Sequence, residues 1–187
     1  MVNPITEYET SHAALLADKA LEGMVQGKDK ILLFRVLGDT NAARKLAFQT
    51  EHTFTFSRER DVIRTKDGSI SKDNGLETEV SIEAIQKRGD RLYGELALAA
   101  IKGHKVELWE VTVDEDLKNE TDEYPAIYAQ GYLPSWELPA GVEDESTVST
   151  TFNVDGEPQW GYTPLSAAQE AAVQYAFRNT EEITPEV

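Results

Sequence analysis

The sequence predicts a mainly β (α+β) fold: an antiparallel β-sandwich or small barrel of six to seven strands, with one or two flanking helices, a long protruding loop and terminal arms. Apolar and polar residues alternate with period two in several short runs, as half-buried strands require. Glycine, proline and aspartate punctuate these runs at short intervals. Helix boundary signals are few, and the chain shows neither an internal repeat nor the regular strand–helix alternation of βαβ units.

Residues 1–28 read as an N-terminal arm. Within it Ala13, Ala14, Leu15, Leu16, Ala20, Leu21 and Met24 can form an amphipathic helix, with Ser11 as its N-cap. The main domain, 29–178, opens on a buried strand from Ile31 to Leu37 that closes at Gly38-Asp39. In the next strand Leu46, Phe48, Thr50, His52, Phe54 and Phe56 share one face, and Lys45, Gln49, Glu51, Thr53, Thr55 and Ser57 the other. A third strand sets Leu76, Thr78, Val80, Ile82 and Ala84 against Glu77, Glu79, Ser81 and Glu83. Between these two lies the protruding loop 58–75, charged and turn-rich; loops of that length in compact domains are usually functional or disordered.

Asp90 and Gly103 frame a helix over Arg91 to Lys102, with Leu92, Leu96 and Ile101 among its apolar positions. Strands then follow from Lys105 to Val113 and from Tyr124 to Leu133, joined by an acidic connection that lacks the glycine and flanking helices of a calcium loop. Ser146 to Val154 alternates again. Asp155-Gly156 carries the signal of a hairpin turn, with Trp160 and Tyr162 on the return strand. Thr163 and Pro164 form an N-cap and first helical residue for a helix through Ala167, Ala168, Ala171, Ala172, Tyr175 and Ala176. A flexible polar tail, 179–187, ends the chain.

Composition narrows the function. Forty per cent hydrophobic and 28% charged residues are globular values, and the absence of cysteine removes disulfide and thiolate chemistry. No apolar run approaches the roughly 20 residues of a membrane-spanning helix, and the N-terminus lacks the pattern of a signal peptide. A net charge of -16 opposes a nucleic-acid-gripping surface. The charge is uneven: residues 58–75 hold five basic and four acidic side chains, +1, so the remainder carries -17. Such a loop can dock on the acidic body of another copy. The three histidines have no metal-ligand spacing, nucleophile and phosphate-loop motifs are absent, and neither catalytic residues, metal nor cofactor are expected. Trp109, Trp136, Trp160, Tyr132 and Tyr162 leave a carbohydrate-binding sandwich as an alternative.

Gly27 to Val36, Thr65 to Ile70 and Gly161 to Phe177, taken in order, resemble the major tail (tail tube) proteins of long-tailed non-contractile bacteriophages of Gram-positive hosts. The resemblance implies a structural virion protein, assembled in the host cytoplasm, whose hexameric rings stack into a tail tube. In it the long loop reaches the next ring, here through Arg58, Arg60, Arg64, Lys66, Asp67, Gly68, Lys72 and Asp73, and terminal arms bridge subunits. Double-stranded genomic DNA passes down the lumen without specific binding at ejection. The partners implied are the chain itself, a tape-measure protein and other tail proteins, with no membrane. A tail terminator, forming a single ring, is the nearby alternative.

Overall fold

The computed structural model describes residues 25–141, 145–166 and 169–170. Strands β1 (Lys30–Val36), β2 (Arg44–Lys45), β3 (Gln49–Thr65), β4 (Gly68–Ile85), β5 (Val106–Thr112), β6 (Tyr124–Tyr132), β7 (Thr147–Val154) and β8 (Gln159–Thr163) form one antiparallel sheet, and helix α1 (Arg91–Lys102) packs against it. The strand order is β2-β1-β5-β6-β7-β4-β3, with β8 also on β6. The sheet coils on itself without closing. Leu32 and Phe34 of β1, Val80 and Ile82 of β4, Leu108 of β5 and Phe152 of β7 fill its interior together with Leu92, Leu96 and Ala99 of α1. A smaller cluster, with Ile31, Leu33, Val111 and Tyr124, lies on the other face of β1, β5 and β6, where Leu165 packs on it.

The mainly β architecture is as predicted, but Asp155-Gly156 is not a hairpin turn. Strand β7 pairs with β4 from Thr147 to Asn153, then transfers to β6 at Asn153 and Val154. After the break at 155–158 the chain returns as β8 to the same edge of β6, Gln159 opposite Tyr128 and Thr163 opposite Tyr124. The turn signal was right about a break in the strand and wrong about reversal, because β6 offers one continuous edge for both pieces. This change of partner is how an open sheet turns a corner. Gly131 sits at the corner: a Cβ there would overlap the carbonyl oxygen of Asn153 and press on the Phe152 ring.

Helix α1 has its predicted ends. Asp90 Oδ1 accepts hydrogen bonds from the Leu92 and Tyr93 amides at 3.0 and 3.4 Å, and Gly103 takes the left-handed conformation. Asp90 Oδ2 also accepts from the Ala47 amide at 3.1 Å, which ties the helix to the chain entering β3. Ile101, expected among the apolar positions, is 76% exposed; Ala99 takes the inward place. At the second predicted helix the N-cap is Ser166, not Thr163, which ends β8. Ser166 Oγ accepts from the Gln169 amide at 3.3 Å and the Gln169 side chain accepts from the Ser166 amide at 2.7 Å, a reciprocal capping box. The predicted N-terminal helix, the rest of the second helix and the tail 179–187 lie outside the described residues.

Where the two ends of the coiled sheet approach, side chains replace a ladder. Gln49 accepts from the Leu32 amide at 2.9 Å and donates to the Leu32 carbonyl at 2.6 Å. Deeper in, Glu110 of β5 bonds Lys30 of β1 and His52 of β3, each at 2.8 Å. Glu110 is 5% exposed. Burial penalises its charge, yet the bonds from His52 and Lys30 outweigh this and hold its carboxyl below the ordinary range. A cleft of about 700 Å³ remains beside the seam, lined by Lys28, Lys45, Phe54 and Trp160 among others.

Gly131→Ala will lower unfolding stability by about 3 kcal/mol or more in chemical denaturation, since backbone must move to admit the methyl, whereas Gly161→Ala, with open space around it, will change it by less than about 0.5 kcal/mol. Glu110→Gln will cost about 1–3 kcal/mol near neutral pH. Because the folded pKa of Glu110 lies below its unfolded value of about 4.3, the stabilisation is complete above about pH 5 and disappears as pH falls through the folded value. Denaturation curves of wild type and Glu110→Gln will therefore converge on acidification; a gap that persists at low pH would contradict the ion-pair account.

Candidate functional site

Residues 58–75, expected as a loop, are instead the distal half of a two-stranded ribbon. Beyond the sheet body the ladder of β3 and β4 continues through Arg60–Asp73, Asp61–Lys72, Val62–Ser71, Ile63–Ile70, Arg64–Ser69 and Thr65–Gly68. Lys66 and Asp67 make the turn. A strand pair satisfies its backbone groups by itself, so it needs no core to remain extended; the dense charge concealed this period-two pattern in the sequence. A bulge separates ribbon from body, Asn74 and Gly75 facing the single residue Glu59, with Gly75 at φ 103°. Past the bulge the ribbon extends about 20 Å.

The predicted docking residues fall into two groups. At the base, Arg58 bonds Asp73 at 3.0 Å and Glu157 at 3.3 Å, anchoring the ribbon to the β7–β8 break. Asp73 is held below the usual carboxylate range by the Gly75 amide and by Arg58. Arg60 lies across the ladder from Asp73, and Lys72 from Asp61. Arg64, Lys66, Asp67 and Gly68 form the tip. Opposite charges thus face each other toward the base, while the tip carries Arg64, Lys66 and Asp67. Val62, Ile63 and Ile70 are 65%, 48% and 59% exposed, with Ile63 directly opposite Ile70. These three were overlooked in sequence; the available signal was an apolar residue at matched distances on either side of the Lys66-Asp67 turn.

A second surface lies on the outward face of β3, β4 and β7. It carries Glu51, Thr53, Thr55 and Ser57, then Glu77, Glu79, Ser81 and Glu83, then Ser149, Thr151 and Asn153. These positions hold carboxylates, hydroxyls and one amide, with no cation and no apolar side chain. Glu51 stands directly opposite Glu83, a like-charge pairing that destabilises an isolated sheet.

The other sequence candidates do not converge. Trp109 packs on Tyr128 with Arg35 above its ring, Trp136 packs edge-on against Tyr93, and Trp160 borders the seam cleft, so the aromatics form no common groove. In the acidic β5–β6 connection Lys118 pairs with Glu115 at 2.9 Å and Asp122 at 3.0 Å and lies over the Tyr124 ring. Those carboxylates raise the Lys118 pKa, and burial with Glu115 pushes the Tyr124 hydroxyl up to about 12. Among the described residues no group of three or more histidines and carboxylates can hold a metal ion.

The sequence profile of the family described as phage tail tube protein matches residues 24–160. A tail protein of Staphylococcus phage phiMR25 is 29% identical over 164 residues, 86% of this chain and 85% of that protein. The tail tube protein of Bacillus phage SPP1 is 28% identical over 138 residues, 73% of this chain and 51% of that protein, so the chain spans about half that relative's length. In fold the chain is similar to the SPP1 tail tube solved by solid-state NMR and cryo-EM, with a TM-score of 0.67, 23% identity, and coverage of 87% of this chain and 96% of that one. It is also similar to the tail of an empty gene transfer agent particle, with a TM-score of 0.54 and 13% identity over 74% of this chain and 98% of that one. The chain belongs to the phage tail tube protein family and is a structural component of the phage tail.

Proposed function

We propose that copies of this chain form hexameric rings that stack into a tube, that the ribbon 58–75 crosses from ring to ring, and that the outward face of β3, β4 and β7 lines the lumen. The observation that carries the proposal is the meeting of two surfaces on the β3–β4 ladder: a projecting end with exposed apolar pairs below a charged tip, and a broad face, shared with β7, whose side chains are carboxylates, hydroxyls and one amide. A projecting end suits attachment. The face suits passage, because DNA bears about one negative charge per 1.7 Å of axis and a wall of carboxylates and hydroxyls offers it nothing to grip. Genomic DNA then slides through at ejection without specific binding, and a tape-measure protein occupies the lumen beforehand. The family and the similar tail tube fold support this reading. The role is mechanical and electrostatic, with no catalytic step.

Purified wild-type chain will form rings or tubes visible by electron microscopy. Deletion of residues 60–73, beyond the bulge, will leave a subunit with unchanged circular dichroism and cooperative melting that forms no tubes; normal tubes from the deletion variant would remove the ribbon from assembly. Tubes carrying Glu79→Lys with Glu83→Lys will retain short duplex DNA at low ionic strength and release it as salt rises, the log–log salt slope growing by about 1 per added phosphate contact. Equal retention by wild-type and variant tubes would move the lumen to another face.

A further inference from the structure

We infer that the apolar residues just below the ribbon tip of one copy dock on Phe48 of the next, so that the two opposite ends of the β3–β4 ladder form the axial contact. This rests on the tube reading above and identifies the partner surface that the ribbon meets.

Phe48 is unusual in two ways at once. Its backbone lies in the left-handed region, φ 51°, where glycine or asparagine is expected and a bulky side chain is strained. Its ring is nonetheless 60% exposed. Its carbonyl accepts the Ile85 amide at 3.0 Å, a bond that any residue could make. The one ring neighbour of note is the Lys87 ammonium, 5.9 Å from the centroid. Within the subunit, a glycine would serve this turn with less strain and leave less apolar surface in water. Backbone strain at an exposed ring whose local contact is one lysine 5.9 Å from its centroid points to a use elsewhere.

The position of Phe48 names the partner. It immediately precedes Gln49, the first residue of the ladder, whereas Ile63 with Ile70, and Val62, sit in the third and fourth pairs from the turn, just below the charged tip. Fifteen residues of extended chain separate Phe48 from Ile63, about 50 Å. The ladder therefore carries exposed apolar groups near both ends, and its outward flank between is carboxylate and hydroxyl, with Phe56, 47% exposed, on the opposite face. Beside its charges the ribbon offers another copy the exposed apolar surface of Val62, Ile63 and Ile70. End-to-end docking of one ladder on the next is heterologous and does not close on itself; repeated, it gives a filament along the ladder direction, with ring contacts made by other surfaces.

Because the chain contains no cysteine, a single engineered pair reports the contact. Phe48→Cys with Ile70→Cys in one chain will give, on mild oxidation of assembled tubes, a ladder of disulfide-linked multimers on non-reducing gels. The span of about 50 Å rules out a bond within one copy, since the Cα atoms of a disulfide lie about 4.4–6.8 Å apart. An equimolar mixture of the two single variants will stop at dimers. Phe48→Gly will keep or raise the melting temperature while tube yield falls at least about tenfold, a separation that a purely structural role would not produce. Intact tubes with no multimer ladder, or full tube yield from Phe48→Gly, would overturn this contact and leave the tube standing. Absence of tubes from wild type itself would overturn both.

Discussion

An antiparallel sheet that coils without closing has two ends that must be held together, and in this protein the join depends on one buried carboxylate and one amide. Gln49 presents to Leu32 the donor and acceptor that a neighbouring peptide would supply. Glu110 is nearly inaccessible, and a carboxylate in that position persists as an ion only with partners in place. Those partners, Lys30 and His52, come from β1 and β3, the strands that border the gap. The join therefore does more than stabilise. It fixes the register of β3 against β1, and with it which residues of β3 face inward.

Everything functional downstream follows from that register. A shift of β3 by one residue would place Glu51, Thr53 and Thr55 against Phe152 and Val80 and turn His52 and Phe54 to solvent, because side chains alternate strictly along a strand. With the observed register the outward face is polar along β3, β4 and β7, and β3 and β4 run on past the body as the ribbon. Arg58, bonded to both Asp73 and Glu157, sets the direction in which it leaves. The polar face and the projection are thus two parts of one ladder, and the Glu110–Lys30–His52 cluster orients both.

Much of the fold was legible because the signals were local. Asp90 and Gly103 marked α1 correctly, since caps depend on a few neighbouring backbone groups. The alternation flanking residues 58–75 marked β3 and β4 for the same reason. What could not be read was partner choice. Asp155-Gly156 announces a break, but whether the chain then reverses or moves on depends on the free edge of β6, which is distant in sequence. The ribbon was misjudged as a loop because its charged residues looked like solvated turn, while their cross-strand mates, Arg60 with Asp73 and Asp61 with Lys72, are apparent only once the turn is located at Lys66-Asp67. Gln49 and Glu110 gave no signal at all: one amide and one carboxylate become a seam only through the tertiary fold.

The features that make least sense in a lone subunit share one ladder. Glu51 faces Glu83, Phe48 is strained and exposed, and Val62, Ile63 and Ile70 stand in water. Each raises the free energy of the monomer, and each would be relieved or used when copies stack. Electrostatics alone opposes that stacking, for every chain carries -16 and the repulsion between copies is long-ranged at low salt. Apolar burial is short-ranged and is not screened by salt, so in the proposed tube it can hold rings together without neutralising the carboxylates. The tube proposed above, repelling DNA along its lining while adhering to itself along its axis, needs two kinds of surface that do not interfere. Exposed apolar groups near the ends of the ladder and carboxylates on its outward flank would meet both demands with two strands.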